Sequence, residues 1–192
     1  MKIISGIKRA VTTGSLLGLA TLSGCGNGLS PTITGFSPAG GKVGATVTIQ
    51  GTNFDTTAAG NTVTFNGVTA TVDSSTATSI VTTVPSGATT GAISVKVDGM
   101  TATSSESFTV TPTITEFLPV NGTVGTAVII SGTGFDSTAA NNIVTFNGTN
   151  ALVTAATSTT IVTAVPSGAS TGKITLKVNG ESVTSSSSFT VD

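Results

Sequence analysis

The sequence predicts an all-β fold, two β-sandwiches in tandem behind a cleaved N-terminal leader. Three observations carry this. Downstream of the leader the chain is dense in Thr, Ser, Val, Ala and Gly, and such a mix of β-branched residues and turn formers favours strands joined by tight turns. The apolar residues of this region alternate with period two in short runs, which places one face of each strand in a core and the other in water. Residues 31–110 then recur as residues 112–191 at an ungapped offset of 81. Regular alternation at low net charge is also the opposite of the composition that keeps a chain disordered.

Each copy reads as about seven strands. In the first copy Thr32 to Phe36 opens the unit, and Thr46 to Gln50 follows with Val47 and Ile49 on one face. Thr62 to Phe65 turns Val63 and Phe65 inward. Asn66-Gly67 is a type I′ hairpin signal, because both central residues of that turn need a positive φ. Thr69 to Asp73 returns with Ala70 and Val72, and Ser79 to Val84 leads into Pro85. Ala92 to Val97 sets Ile93, Val95 and Val97 on one side, and Asp98-Gly99 makes a second tight turn. Ser105 to Val110 closes the unit with Phe108 and Val110. Turn signals at this spacing are those of an antiparallel sandwich.

The second copy repeats these blocks. Val63-Thr64-Phe65-Asn66-Gly67 returns as Val144-Thr145-Phe146-Asn147-Gly148, and Val84-Pro85-Ser86-Gly87-Ala88 as Val165-Pro166-Ser167-Gly168-Ala169. More than half of the aligned positions are identical. An ungapped repeat of this length marks duplication of one folding unit, not a short-period solenoid. The expected division is residues 1–24 leader, 25–30 tether, 31–111 first domain and 112–192 second domain. Thr111 alone links the domains, so a short, semi-rigid two-domain rod is expected, with Gly26 to Ser30 as a flexible tether.

The leader has a basic start (Lys2, Lys8, Arg9) and an apolar stretch around Leu16, Leu17 and Leu19, then ends at Leu22-Ser23-Gly24-Cys25. Basic, apolar, small and processing site is the order of a secretory signal peptide. The apolar run is broken by Gly and Thr and is shorter than the ~20 residues a membrane span requires. Leu22, Ser23, Gly24 and Cys25 resemble the lipobox of bacterial lipoproteins. That resemblance implies cleavage before Cys25, lipid on its sulfur and amine, and a firm anchor without a transmembrane helix, since each buried methylene adds about 0.8 kcal/mol. Gly26, in place of an aspartate associated with inner-membrane retention, implies the outer membrane.

Within each copy the pattern also resembles a family. Pro31, Ile33, Phe36 and Pro38, then Gly44, Val47, Ile49, Gly51 and Phe54, then Val63, Phe65, Asn66 and Gly67, then Val84, Pro85 and Gly87, then Gly91, Ile93 and Val95 are similar to the IPT/TIG pattern. The second copy repeats it with Leu176 at the place of Val95. The resemblance implies an immunoglobulin-like β-sandwich in each copy. It implies no single function, because the family occurs in receptors, transcription factors, glycan-active enzymes and bacterial surface proteins, and a fold hosts many functions.

Composition narrows the chemistry. The chain has no His, no Trp and no Tyr, so the commonest general base and metal ligand is missing, and so are the rings on which sugars most often stack. Beyond the leader four lysines stand against eight acids, a side-chain balance of −4. With no basic patch, nucleic acid is not an expected partner. No cofactor is expected.

Candidate sites are few. Asp55 and Asp136, with Asn61 or Asn141, are weak calcium candidates, because calcium takes six to eight oxygens and no second carboxylate stands nearby; the plainer reading is an Asx-turn. Asn121-Gly122-Thr123 and Asn147-Gly148-Thr149 fit the glycosylation sequon, and a bacterial lipoprotein would seldom use it. Lys96 and Lys177 are expected on outward positions as solvated edge charges. Asp73 and Asp98 are replaced by Thr154 and Asn179 in the second copy, so no carboxylate pair recurs and no catalytic residues are expected. The expected activity is binding without turnover, as a spacer or protein-interaction module of the cell envelope. A glycan- or polymer-binding accessory protein is the alternative. For partner docking the closing strand, Ser185 to Val191, is the expected edge, through Ser185, Ser187, Phe189 and Val191.

Overall fold

A computed structural model describes residues 28–192. The leader, the lipobox and Cys25 lie outside the described residues. Among the described residues the regular structure is strand, nine in each copy, apart from two single 3-10 turns at Ala58–Gly60 and Ala139–Asn141. In copy one these are β1 (Thr32–Ser37), β2 (Gly40–Gly41), β3 (Thr46–Thr52), β4 (Asn61–Phe65), β5 (Val68–Ala70), β6 (Val72–Ser75), β7 (Ser79–Thr83), β8 (Gly91–Val97) and β9 (Met100–Val110). Copy two repeats them as β10 (Thr113–Leu118), β11 (Asn121–Gly122), β12 (Ala127–Thr133), β13 (Asn142–Phe146), β14 (Thr149–Ala151), β15 (Val153–Ala156), β16 (Thr160–Ala164), β17 (Gly172–Val178) and β18 (Glu181–Val191).

Each copy forms two sheets. The four-stranded sheet runs β1-β3-β7-β6 in copy one and β10-β12-β16-β15 in copy two. The five-stranded sheet runs β2-β9-β8-β4-β5 and β11-β18-β17-β13-β14. Only the short β2–β9 and β11–β18 pairs are parallel. Alternation fills the space between sheets as expected: Val47, Ile49, Val63, Phe65, Ile93 and Val95 are fully or almost fully buried in copy one, as are their counterparts in copy two. Phe65 meets Phe108 edge to face at 5.1 Å between ring centres, and Phe146 meets Phe189 in the same way at 5.1 Å, a favoured aromatic geometry. The hairpin expectation also holds, with Asn66 at φ 45° and Gly67 at φ 86°.

Several expectations change: the short strands β2 and β11 are additional, and the closing strand of copy one begins at Met100 rather than Ser105. The strand expected over Thr69 to Asp73 is two strands, because the chain leaves the five-stranded sheet after Ala70 and joins the four-stranded sheet at Val72. Thr71 sits at the crossing, where its carbonyl accepts a bond from the buried Thr82 hydroxyl at 2.6 Å. The last residue of the expected tether is also not free. Ser30 is tied to the first domain, its carbonyl accepting from Asn53 Nδ2 at 2.9 Å and its hydroxyl lying 3.3 Å from Met100 Sδ.

Candidate functional site

The Asp55 loop is a closed hydrogen-bond knot. Asp55 Oδ1 accepts from the N–H and from the hydroxyl of Thr57, each at 2.7 Å. These bonds, the hydroxyl first and the N–H second, hold the Asp55 carboxyl below its ordinary value. Asn61 completes the loop: its Oδ1 accepts from the Asp55 N–H, and its Nδ2 donates to the carbonyls of Asp55 and Thr57. Copy two repeats the knot with Asn142, not Asn141, in the place of Asn61, while Asn141 donates to Asp136 Oδ2 at 3.0 Å. The carboxylates thus stitch an Asx-turn. Among the described residues no group of three or more His, Cys, Asp or Glu side chains is placed to hold a metal ion.

The closing strand is a different kind of edge from the one expected. It begins at Glu181, and its last residues are covered, since β11 pairs with Thr190 and Val191. Ser185 is 2% exposed and Phe189 1% exposed, so neither side chain meets a partner. Ser187 alone of the four expected docking residues is exposed. The cause is a bulge. The ladder to β17 shifts register between Lys173 and Thr175, leaving Ser185, Ser186 and Ser187 opposite Ile174. Ser185 Oγ fills the gap, accepting from the Ile174 N–H at 3.1 Å and donating to the Ser187 carbonyl at 2.7 Å. Ser104 does the same in copy one, between the Ile93 N–H and the Glu106 carbonyl. Such bulges turn and blunt a strand edge. Beyond the two residues that β11 covers, β18 has β17 as its only ladder neighbour, so from Glu181 to Ser188 no strand pairs its outer side, although the Ser187 carbonyl is taken by Ser185.

In copy one the bulge also opens a crevice of about 100 Å³ between the sheets. Ile33, Thr34, Gly35 and Phe36 of β1 line one side, and Ser104, Ser105 and Glu106 the other. Copy two has Glu116 in the place of Gly35 and Ser187 in the place of Glu106. The crevice of copy one therefore holds one carboxylate, Glu106, beside Thr34, Ser104 and Ser105. Neither bulge nor crevice was expected. The signal lay in Ser104 and Ser185 themselves, polar residues at inward positions of otherwise alternating strands. Lys96 and Lys177 do face outward, but on β8 and β17 at the middle of the five-stranded sheets, not at an edge.

The comparisons with known proteins fit this geometry. The family model of the IPT/TIG domain matches twice, at residues 31–111 and 112–191. No curated protein matches the chain. Among solved structures, the surface glycan-binding protein PbSGBP-B of Prevotella bryantii is similar over 83% of this chain at 16% identity, with a TM-score of 0.54. An auxiliary nutrient binding protein of Bacteroides ovatus matches over 43% of the chain at 25% identity and a TM-score of 0.41. The full extracellular region of Plexin A4 matches over 85% at 23% identity and a TM-score of 0.42. The chain spans 42%, 21% and 16% of the lengths of these three proteins. By its two consecutive matches and its two immunoglobulin-like sandwiches, the chain belongs to the IPT/TIG domain family.

Proposed function

We propose that this chain is a non-enzymatic cell-envelope lipoprotein, anchored at Cys25, whose two domains hold a protein-binding surface away from the membrane. Cys25 supplies the lipid anchor, Gly26 directs it to the outer membrane, and the tether ends where Ser30 is clamped to the first domain. The carrying observation concerns aromatic side chains. All eight aromatic residues are phenylalanines, seven are buried and Phe36 is half-buried at the crevice, so no fully exposed ring stands on the surface as a platform for a sugar. What the surface does offer is backbone, along the unpaired outer side of β18 from Glu181 to Ser188, where an extended partner segment can add as a strand.

The second reading is a glycan- or polymer-binding accessory protein. Its support is the Prevotella bryantii surface glycan-binding protein, whose likeness to this chain is one of fold. One experiment separates the two: crosslinking in intact cells from a cysteine at Ser187→Cys, with Ser86→Cys as control, beside affinity electrophoresis of the purified protein in gels of defined polysaccharides. Capture of a specific envelope protein at 187 and not at 86, without retardation in any gel, is the expected result. Retardation in a polysaccharide gel with no protein captured at 187 would overturn the protein-binding reading in favour of the glycan.

A further inference from the structure

Six of the seven exposed large apolar side chains among the described residues belong to copy two. Two of them, Leu118 and Ile129, are 58% and 49% exposed and are cross-strand partners. Ile129 pairs onward with Val162, and Val162 with Ala155. The four residues form one apolar row across the outer face of the sheet, from β10 through β12 and β16 to β15. In copy one the same register positions are Ser37, Thr48, Val81 and Ser74. The two copies share sheet order and register, so the sandwich itself does not require an apolar row. Copy one is an internal control, and copy two carries a surface the fold does not need.

We propose that this face of copy two packs against the same face of a second copy of the chain. Two observations choose that occupant. The neighbouring positions on the central strands, Ala127, Ser131, Thr160 and Ala164, are uncharged, and Glu116 on the outer strand β10 is the one ionisable residue of the face. A charged partner therefore finds no complement there. The row crosses the sheet from edge to edge, so a two-fold axis through its middle lays each row across the other, the self-complementary arrangement that a symmetric pair requires. Two such sheets pack about 10 Å apart with strands near −30°, which buries Leu118, Ile129 and Val162 and leaves Glu116 in water at the rim.

Area sets the strength. Four strands about 4.8 Å apart and five residues of about 3.4 Å each cover roughly 19 by 17 Å. With side-chain relief that is on the order of 500 Å² of accessible surface on each partner, or about 1,000 Å² in all, the lower limit for a specific interface. The pair is accordingly weak and reversible in solution. The inference rests on the anchored reading only for its setting, because molecules tethered to one membrane surface meet at a high effective concentration.

The test is sedimentation equilibrium from about 1 to 300 µM on residues 25–192 carrying Cys25→Ala, which keeps both domains and removes the lipid. The protein should shift from monomer to dimer with a dissociation constant in the range of about 10–100 µM. Leu118→Ser with Ile129→Thr installs the residues of copy one and should raise that constant at least tenfold, with the circular dichroism spectrum and cooperative melt retained. Ile143→Thr, on the other sheet, should leave it unchanged. A wild-type chain that stays monomeric at 300 µM overturns the proposal and assigns the face to another occupant. So does a dimer that the double variant leaves intact or that Ile143→Thr dissolves. The unlipidated protein makes this outcome independent of whether Cys25 carries lipid.

Discussion

Ser185 shows how a single polar residue can decide what a strand edge does. Read by alternation alone, it belongs to an exposed docking strand. In the structure its hydroxyl replaces a missing ladder bond, accepting from the buried Ile174 N–H and donating to the Ser187 carbonyl. Ser185→Ala should therefore leave that N–H without a partner and destabilise the second domain by about 1–3 kcal/mol, as a buried unsatisfied donor does. Urea unfolding of the chain measures this directly, and an effect within about 0.5 kcal/mol, the usual range for a surface change, would show the serine to be dispensable. The Asp55 and Asp136 loops illustrate what the sequence makes legible at this scale. The Asx-turn is visible, since it needs only a bond to the backbone two residues on. The partner asparagines are not, because Asn61 and Asn142 reach the loop from the start of the following strand, and Asn141 is as near in sequence as Asn142.

Strands with an internal repeat are legible to a degree that single strands are not. Each inward position is seen twice, so Val63 and Phe65 are supported by Val144 and Phe146, and all four are buried. Phe65→Ala or Phe146→Ala should cost roughly 3–5 kcal/mol in its own domain, as loss of a buried aromatic does. A loss below about 1 kcal/mol would mean that the edge-to-face contacts with Phe108 and Phe189 do not hold the sheets together. The Thr69 to Asp73 segment escapes a reading by pattern for a definite reason. Ala70 and Val72 keep the same parity while the chain changes sheets between them, so alternation continues across a break in the ladder. Only the hydrogen bonds of Thr71 and Thr82, and of Leu152 and Thr163 in copy two, mark the crossing.

At the scale of the molecule, the two copies differ at their ends and faces. Asn53 of copy one holds the Ser30 carbonyl, while its counterpart Gly134, at φ +72°, leaves room for the linker: a Cβ there would lie 3.0 Å from Val110 Cγ1 and 3.1 Å from Pro112 Cα. The first unit thus holds Ser30, and the second makes room for the chain that joins it to the first. The fold of both units and the linker between them can be read from the repeat. The apolar row of copy two is hidden until the register between strands is known, because Leu118, Ile129, Val162 and Ala155 are scattered along the chain and meet only across the sheet. The proposed address of the chain hangs on one residue. Cys25 is the sole thiol, and the proposal that this is an anchored binding protein stands on its modification. Cells expressing the full chain should therefore be grown with radioactive palmitate and extracted with Triton X-114. The wild-type protein should carry label and enter the detergent phase, and Cys25→Ala should lose both properties. Label that persists in Cys25→Ala, or an unlabelled wild-type protein in the aqueous phase, would contradict the anchored account.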